Sequence, residues 1–154
     1  MKISIGSDHA GFEHKELIKR YLINAGHEVV DRGTDSKESC DYSKFALLVS
    51  EDVARGKADR GVLICNTGIG MSIAANKVRR SYAALIRTKE DAFAARHHNN
   101  SNIACFGAAR NTTDEIIAFM EIWLKEGFDG GRHARRVNLI KDYENKHIIG
   151  GGDE

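Results

Sequence analysis

At 154 residues, 42% apolar and 29% charged, the chain is long enough for one hydrophobic core and too polar throughout for a bilayer-spanning run. Its 23 basic and 22 acidic side chains leave a net charge of +1, so bulk charge recruits neither nucleic acid nor an anionic membrane. The opening Met-Lys-Ile-Ser-Ile reads as strand rather than as the apolar stretch of a signal peptide, and a cytoplasmic address is the expectation.

Strand-like and helix-like segments alternate from there on. Residues 2–6 read as a first strand. Residues 13–25 follow as a helix, with Leu17, Ile18, Tyr21, Leu22 and Ala25 on one stripe and Gly26 as its stop. A second strand covers 28–31, a helix 42–55, a third strand 61–64 and a short helix 71–77. Residues 82–86 give a fourth strand, 89–97 a helix, 102–106 a fifth strand, and 113–125 a long amphipathic helix capped by Thr112 or Thr113. Val137, Ile140 and Tyr143 mark a terminal helix, and residues 150–154 a frayed tail after a single domain over 1–149. Such alternation predicts an α/β fold: a five-stranded parallel sheet with helices on both faces, binding its ligand at the carboxyl ends of the strands.

That placement selects the loops after the first, third and fifth strands: Ser7-Asp8-His9, Cys65-Asn66-Thr67-Gly68, and Gly107-Ala108-Ala109-Arg110. Together with His97-His98-Asn99 at the end of the fourth helix, they are expected to converge on one rim of the sheet. The stretch 61–76, GVLICNTGIGMSIAAN, passes from an apolar strand through a cysteine and a glycine-punctuated turn into a small-residue helix. Gly68 and Gly70 let the backbone bend and bring N–H groups toward a ligand at a helix N-terminus, a setting that favours negative charge and activates a thiol. A buried, inert cysteine is the commoner state of a free thiol, and for Cys40 and Cys105 that reading is preferred. With no Cys-x-x-Cys pair, the three cysteines read as reduced thiols, not as a disulfide framework or a zinc site. Asp8 is open to capping the first helix as well as to acting on a ligand, and the Arg132–Arg136 run to being a solvated helix face.

Four segments carry a family resemblance. Gly6-Ser7-Asp8-His9-Ala10-Gly11, the Cys-x-Thr-Gly-x-Gly-x-Ser-Ile-Ala-Ala-Asn-Lys stretch from Cys65 to Lys77, His98-Asn99-Asn100-Ser101-Asn102, and Gly130-Gly131-Arg132 with Arg136 resemble the ribose-5-phosphate isomerase B family, which also contains the LacA/LacB galactose-6-phosphate isomerases. The resemblance spans essentially the whole chain. It implies a Rossmann-like three-layer α/β/α fold and cofactor-free, metal-free aldose–ketose isomerisation of a sugar phosphate. It also implies a homodimer, with a tetramer left open, whose C-terminal helix reaches the neighbouring subunit so that active sites are shared. Met71 stands where a second branch of the family has its glutamate, so the cysteine branch is the relevant one.

The resemblance assigns roles to particular residues. Cys65 is the proton-shuttling base, His98 the ring-opening acid–base, Thr67 an orienting hydroxyl, and Asp8 a handler of a hydroxyl proton. Asn66, Gly68, Ile69 and Gly70 form a cradle for the enediolate oxygen, and Asn99 holds a sugar oxygen. His9, Arg110, Arg132 and Arg136 match phosphate-binding positions, suited to an anion because guanidinium forks donate paired, charge-assisted hydrogen bonds. His133 is a further candidate in ring opening. Asn66 stands where many relatives have glycine, and residues 78–82 and Ser43 also depart from the common pattern. Ribose 5-phosphate and ribulose 5-phosphate are therefore the first expectation. A six-carbon galactose or allose 6-phosphate or a four-carbon erythrulose phosphate is the alternative within the class, since pocket shape sets length discrimination. A non-catalytic sugar-phosphate-binding module would need neither Cys65 nor His98. A dehydrogenase is disfavoured because Ser-Asp-His-Ala-Gly follows the first strand in place of Gly-x-Gly-x-x-Gly.

Overall fold

The computed structural model describes residues 1–147, so the tail expected over 150–154 lies outside the described residues. The chain runs β1 (Lys2–Ser7), α1 (Phe12–Asn24), β2 (Glu28–Asp31), α2 (Tyr42–Ala54), β3 (Arg60–Cys65), α3 (Ile69–Ala75), β4 (Ala83–Leu85), α4 (Lys89–His97), β5 (Ile103–Gly107), α5 (Thr113–Lys125) and α6 (Arg132–Lys146). All four strand pairings are parallel, in the order β2-β1-β3-β5-β4. The central strands β1, β3 and β5 are therefore neighbours, and their carboxyl ends lie side by side.

Side-chain alternation along the strands divides the core into two layers. Ile3, Ile5, Val62, Ile64, Ala104 and Phe106 face α1, α4 and α5, while Leu63, Cys65, Ile103 and Cys105 face α2 and α3. Trp123 anchors the first layer: it is fully buried, and its indole N–H donates to Ser101 Oγ at 2.8 Å. The α5 N-terminus carries a capping box, with Thr112 Oγ1 accepting from Glu115 N–H and the Glu115 carboxylate accepting from Thr112 N–H.

Two helical stripes differ from expectation. In α1 the inward positions are Lys15, Ile18 and Leu22, whereas Leu17 is 46% exposed. Lys15 replaces an apolar residue there because Asp31, at the end of β2, meets its ammonium with both carboxylate oxygens at 2.7 and 2.8 Å, and Glu16 adds a third contact. In α6 the buried residues are His133 and Val137, and Ile140 and Tyr143 face outward. The C-terminal part of α6 is tied to the body by polar contacts: Glu144 accepts from Arg80 N–H and from the Tyr82 hydroxyl, both at 2.9 Å.

Candidate active site

The carboxyl end of the sheet is fixed mainly by backbone. Asp8 N–H donates to Ile64 O, Ala108 N–H to Cys65 O and Ala109 N–H to Asn66 O, which laces the loops after β1, β3 and β5 into one surface. Cys65, 5% exposed, ends β3 with its Sγ accepting the Gly68 N–H at 3.1 Å. Gly68 adopts φ +78°, and a Cβ there would meet Leu85 Cδ1 at 2.6 Å and Phe106 C at 2.9 Å. Only glycine can make this turn. Gly70 is helical; its lack of a side chain serves the Tyr42 ring, which would lie 2.7 Å from an added Cβ. Ile69 N–H donates to Thr67 Oγ1 at 3.2 Å. Of the cradle donors, Gly68 and Ile69 are thus engaged within the turn, while Asn66, Thr67 and Gly70 N–H groups have no acceptor among the described residues.

Asp8 and His9 complete this end. Asp8 is buried, and its Oδ1 accepts Gly11 N–H at 3.1 Å. This bond shapes the loop; the N-cap position of α1 is Gly11. His9 Nδ1 accepts Cys40 N–H at 3.2 Å, a partner that places the ring proton on Nε2 and leaves that N–H free to donate. Arg110 is exposed on the loop after β5, on the same rim.

The remaining predicted residues lie at the other end of the sheet, which corrects the expectation of one rim. The α4 helix runs back along the sheet, and the segment after it returns at the amino end, where Asn102 O accepts Gly61 N–H at 2.9 Å. Gly61 and Cys65 are about 13 Å apart along β3 at roughly 3.3 Å per residue. His98 and Asn99 are exposed in this segment, and Arg132 and Arg136 are exposed on the first turns of α6 beside it. His98 stacks on His133 with ring centroids 4.4 Å apart and planes at 11°. Burial and the His98 charge both hold the His133 imidazole below its ordinary pKa. His97, the last residue of α4, donates from Nε2 to the Glu126 carboxylate at 2.6 Å and from Nδ1 to that of Asp129 at 2.5 Å. These two carboxylates, Glu126 first, raise the His97 pKa and lock the chain entering α6 to the end of α4.

Reasoning from sequence did not single out Tyr42 over the turn, Cys40 on His9, or the carboxylates on His97. Each pairs residues more than 25 positions apart, so no local spacing signals them. Among the described residues, His98, Asp129 and His133 present potential metal-ligand atoms within 4.8 Å of one another, with Asp129 already bonded to His97. Cys105 is fully buried and its thiol is pushed far above the ordinary range by that burial, which makes it chemically inert. No helix among the described residues is long and apolar enough to cross a membrane.

Residues 3–140 match the family model described as Ribose/Galactose Isomerase. The chain belongs to the ribose/galactose isomerase family. It is 39% identical to ribose-5-phosphate isomerase B of Escherichia coli over 145 residues, covering 94% of this chain and 97% of that one. It superimposes on a ribose-5-phosphate isomerase B structure from Clostridium thermocellum with TM-score 0.93 and 46% identity, over 95% and 99% of the two chains. A Mycoplasma genitalium ribose-5-phosphate isomerase B crystallised with bound ribulose-5-phosphate gives TM-score 0.92 and 39% identity, over 95% and 97%. The Rossmann-like three-layer fold expected from the sequence is that of these relatives.

Proposed function

We propose that the protein interconverts ribose 5-phosphate and ribulose 5-phosphate, and that its active site forms between two copies of the chain. The observation that carries this reading is the separation just described. One end of the sheet holds a thiol, a buried carboxylate and free backbone N–H groups; the other holds an exposed imidazole, an amide and two arginines. Neither half suffices for ring opening, carbon-bound proton transfer and phosphate capture, and a two-fold pairing of copies brings each half against its complement.

In the joined site, His98 of the partner subunit protonates the ring oxygen while Asp8 takes the hydroxyl proton, which opens the sugar. Cys65 then moves a proton between C2 and C1 through a cis-enediolate. The Asn66, Thr67 and Gly70 N–H groups donate to the oxygen on which negative charge develops. Thr67, whose Oγ1 accepts Ile69 N–H, retains its hydroxyl proton to orient a sugar oxygen, and the partner's Asn99 holds another. His9 Nε2–H and Arg110 bind the phosphate from this chain, and the partner's Arg132 and Arg136 bind it from across the interface. Asp8 then passes the proton it holds to O1 and takes that of O2, which completes the aldose–ketose exchange; the reaction is redox-neutral and calls for no hydride carrier. Asn66 is exposed directly after the reacting cysteine, where its side chain bears on substrate length.

A coupled assay across four-, five- and six-carbon aldose and ketose phosphates tests the proposal. The expected result is the highest kcat/KM for the ribose 5-phosphate and ribulose 5-phosphate pair. Preference for a six-carbon or four-carbon pair would overturn the assignment while leaving the reaction class intact.

A further inference from the structure

Beneath α6, at the amino end of the sheet, lies a polar cavity of about 260 Å³ whose lining includes Asp59, Arg60, Arg96, Asn100, Val137 and Lys141. With liquid water taking about 30 Å³ per molecule, this is room for a small ion together with several waters. Three of these side chains are cationic and one is acidic. Arg96 is only 5% exposed, yet its hydrogen bonds go to carbonyls: Nη1 to Ser101 O at 2.5 Å and Nε to Glu126 O at 3.4 Å. Arg60 donates from Nη1 to Asp59 O at 2.8 Å, while its Nε–H is buried with no acceptor. Among the described residues none of Arg60, Arg96 and Lys141 forms a salt bridge. The Asp59 carboxylate is held from outside, accepting Lys2 N–H at 2.8 Å.

The charges work against each other. Burial, reinforced by the Arg60 charge, lowers the Arg96 pKa to about 10, and burial lowers that of Arg60 as well. The Asp59 charge offsets part of this for Arg60, but Arg96 is withdrawn from water without a counter-charge, and an anion between the two guanidiniums would relieve both desolvation and repulsion. Arg96 is positioned for this by α4 and Arg60 by the start of β3, so the donors converge from separate rigid elements.

We propose that the cavity beneath α6 binds a small tetrahedral oxyanion of the phosphate class, held by Arg60, Arg96 and Lys141, with the Asn100 amide as a further donor. This site is distinct from the phosphate positions of the isomerase reading and does not depend on it. Its placement gives occupancy a consequence. Arg96 and Asn100 bracket His97-His98-Asn99, and Lys141 and Val137 lie on the helix that carries Arg132 and Arg136. A bound oxyanion therefore clamps these two segments together.

Isothermal titration of inorganic phosphate into a His9→Ala/Arg110→Ala/Arg132→Ala/Arg136→Ala variant, which removes all four phosphate-binding groups of the isomerase reading, at constant ionic strength with chloride as the balancing salt, isolates the cavity from the substrate site. The expected result is saturable binding of one phosphate per chain. Adding Arg60→Gln and Lys141→Gln, both at partly exposed positions, should weaken binding at least tenfold with circular dichroism unchanged. Parallel titrations with ribose 5-phosphate and with ribose separate a monoester from the free ion: binding by both phosphates and not by ribose is expected, and binding of inorganic phosphate alone restricts the site to the free ion. In the same four-alanine variant, phosphate should slow hydrogen exchange over residues 96–102 and 133–141. Unsaturable binding in that variant, unchanged affinity after the glutamine substitutions, or no protection of those two segments would overturn the proposal.

Discussion

The two ends of the sheet are built on different terms. At the carboxyl end the reacting groups are buried and held by main chain: Cys65 by the Gly68 N–H, Asp8 by the Gly11 N–H, and the three loops by each other. At the amino end His98, Asn99, Arg132 and Arg136 stand on exposed helix termini. The contrast separates two requirements of the proposed reaction. Moving a carbon-bound proton needs atoms fixed to a fraction of an ångström, which packed backbone supplies. Opening a ring and seizing a phosphate can be done by side chains delivered across an interface.

The largest expected effect comes from removing the carboxyl-end thiol. Cys65→Ala should lower kcat by a factor on the order of 10²–10⁴, the usual loss on deleting a proton-transfer group, while ribose 5-phosphate still binds in calorimetry. Near-normal turnover would refute the mechanism. Next comes a test of the separation itself. Cys65→Ala and His98→Asn chains, each defective alone, should recover about a quarter of natural activity when co-refolded in equal amounts, because half of the dimers are mixed and each carries one intact site. Absence of recovery would place both residues in a site made by a single chain.

Two substitutions sharpen the contrast at smaller scale. Gly68→Ala forces a Cβ into a left-handed position already bounded by Leu85 and Phe106, and should cost roughly 1–3 kcal/mol in denaturant unfolding together with activity. Arg136→Ala removes an exposed side chain from α6 and should leave the melting temperature unchanged. It should raise KM roughly tenfold or more, the scale of one lost charge-assisted hydrogen bond. An unchanged KM would remove Arg136 from the phosphate site.

The same contrast explains what could be read from the sequence. Strand and helix order, and the turn from Cys65 to Gly70, were legible because period, glycine placement and chain adjacency are local properties. The position of His98 relative to Cys65 was implied by the same reading and misassigned: between parallel strands a crossover helix returns to the amino end, so the last residues of α4 cannot join the carboxyl rim. Only the insertion of β5 between β3 and β4 is not encoded in spacing. Lys15 deceived the helical pattern for a related reason: its partner Asp31 lies on another element, and only the folded chain shows that a charge can occupy the inward stripe. Gly70 is expected from the sequence to let the backbone bend and bring N–H groups toward a ligand, yet it lies within α3. The structure gives its reason as steric, through a tyrosine 28 positions earlier in the chain.

The smallest predicted effect lies at the amino end and depends on pH. Glu126 and Asp129 raise the His97 pKa above its ordinary 6.5, so their interaction with the imidazolium stabilises the fold fully below that value and fades as pH climbs through the raised one. Asp129 titrates in the opposite sense. Its hydrogen bond from His97 holds its carboxyl below the usual 3.8, so that contribution is lost only as pH falls through the lowered value. The stabilisation is therefore greatest between about pH 4 and 6.5. His97→Gln should lower the melting temperature most at about pH 5.5 and progressively less toward about pH 8, by a small amount throughout because the pair is screened by solvent. Since His97 joins the end of α4 to the chain entering α6, the variant should also raise KM for the phosphosugar without changing kcat. A pH-independent stability difference would show that His97 contributes packing alone, and a loss confined to kcat would place it among the groups that move protons.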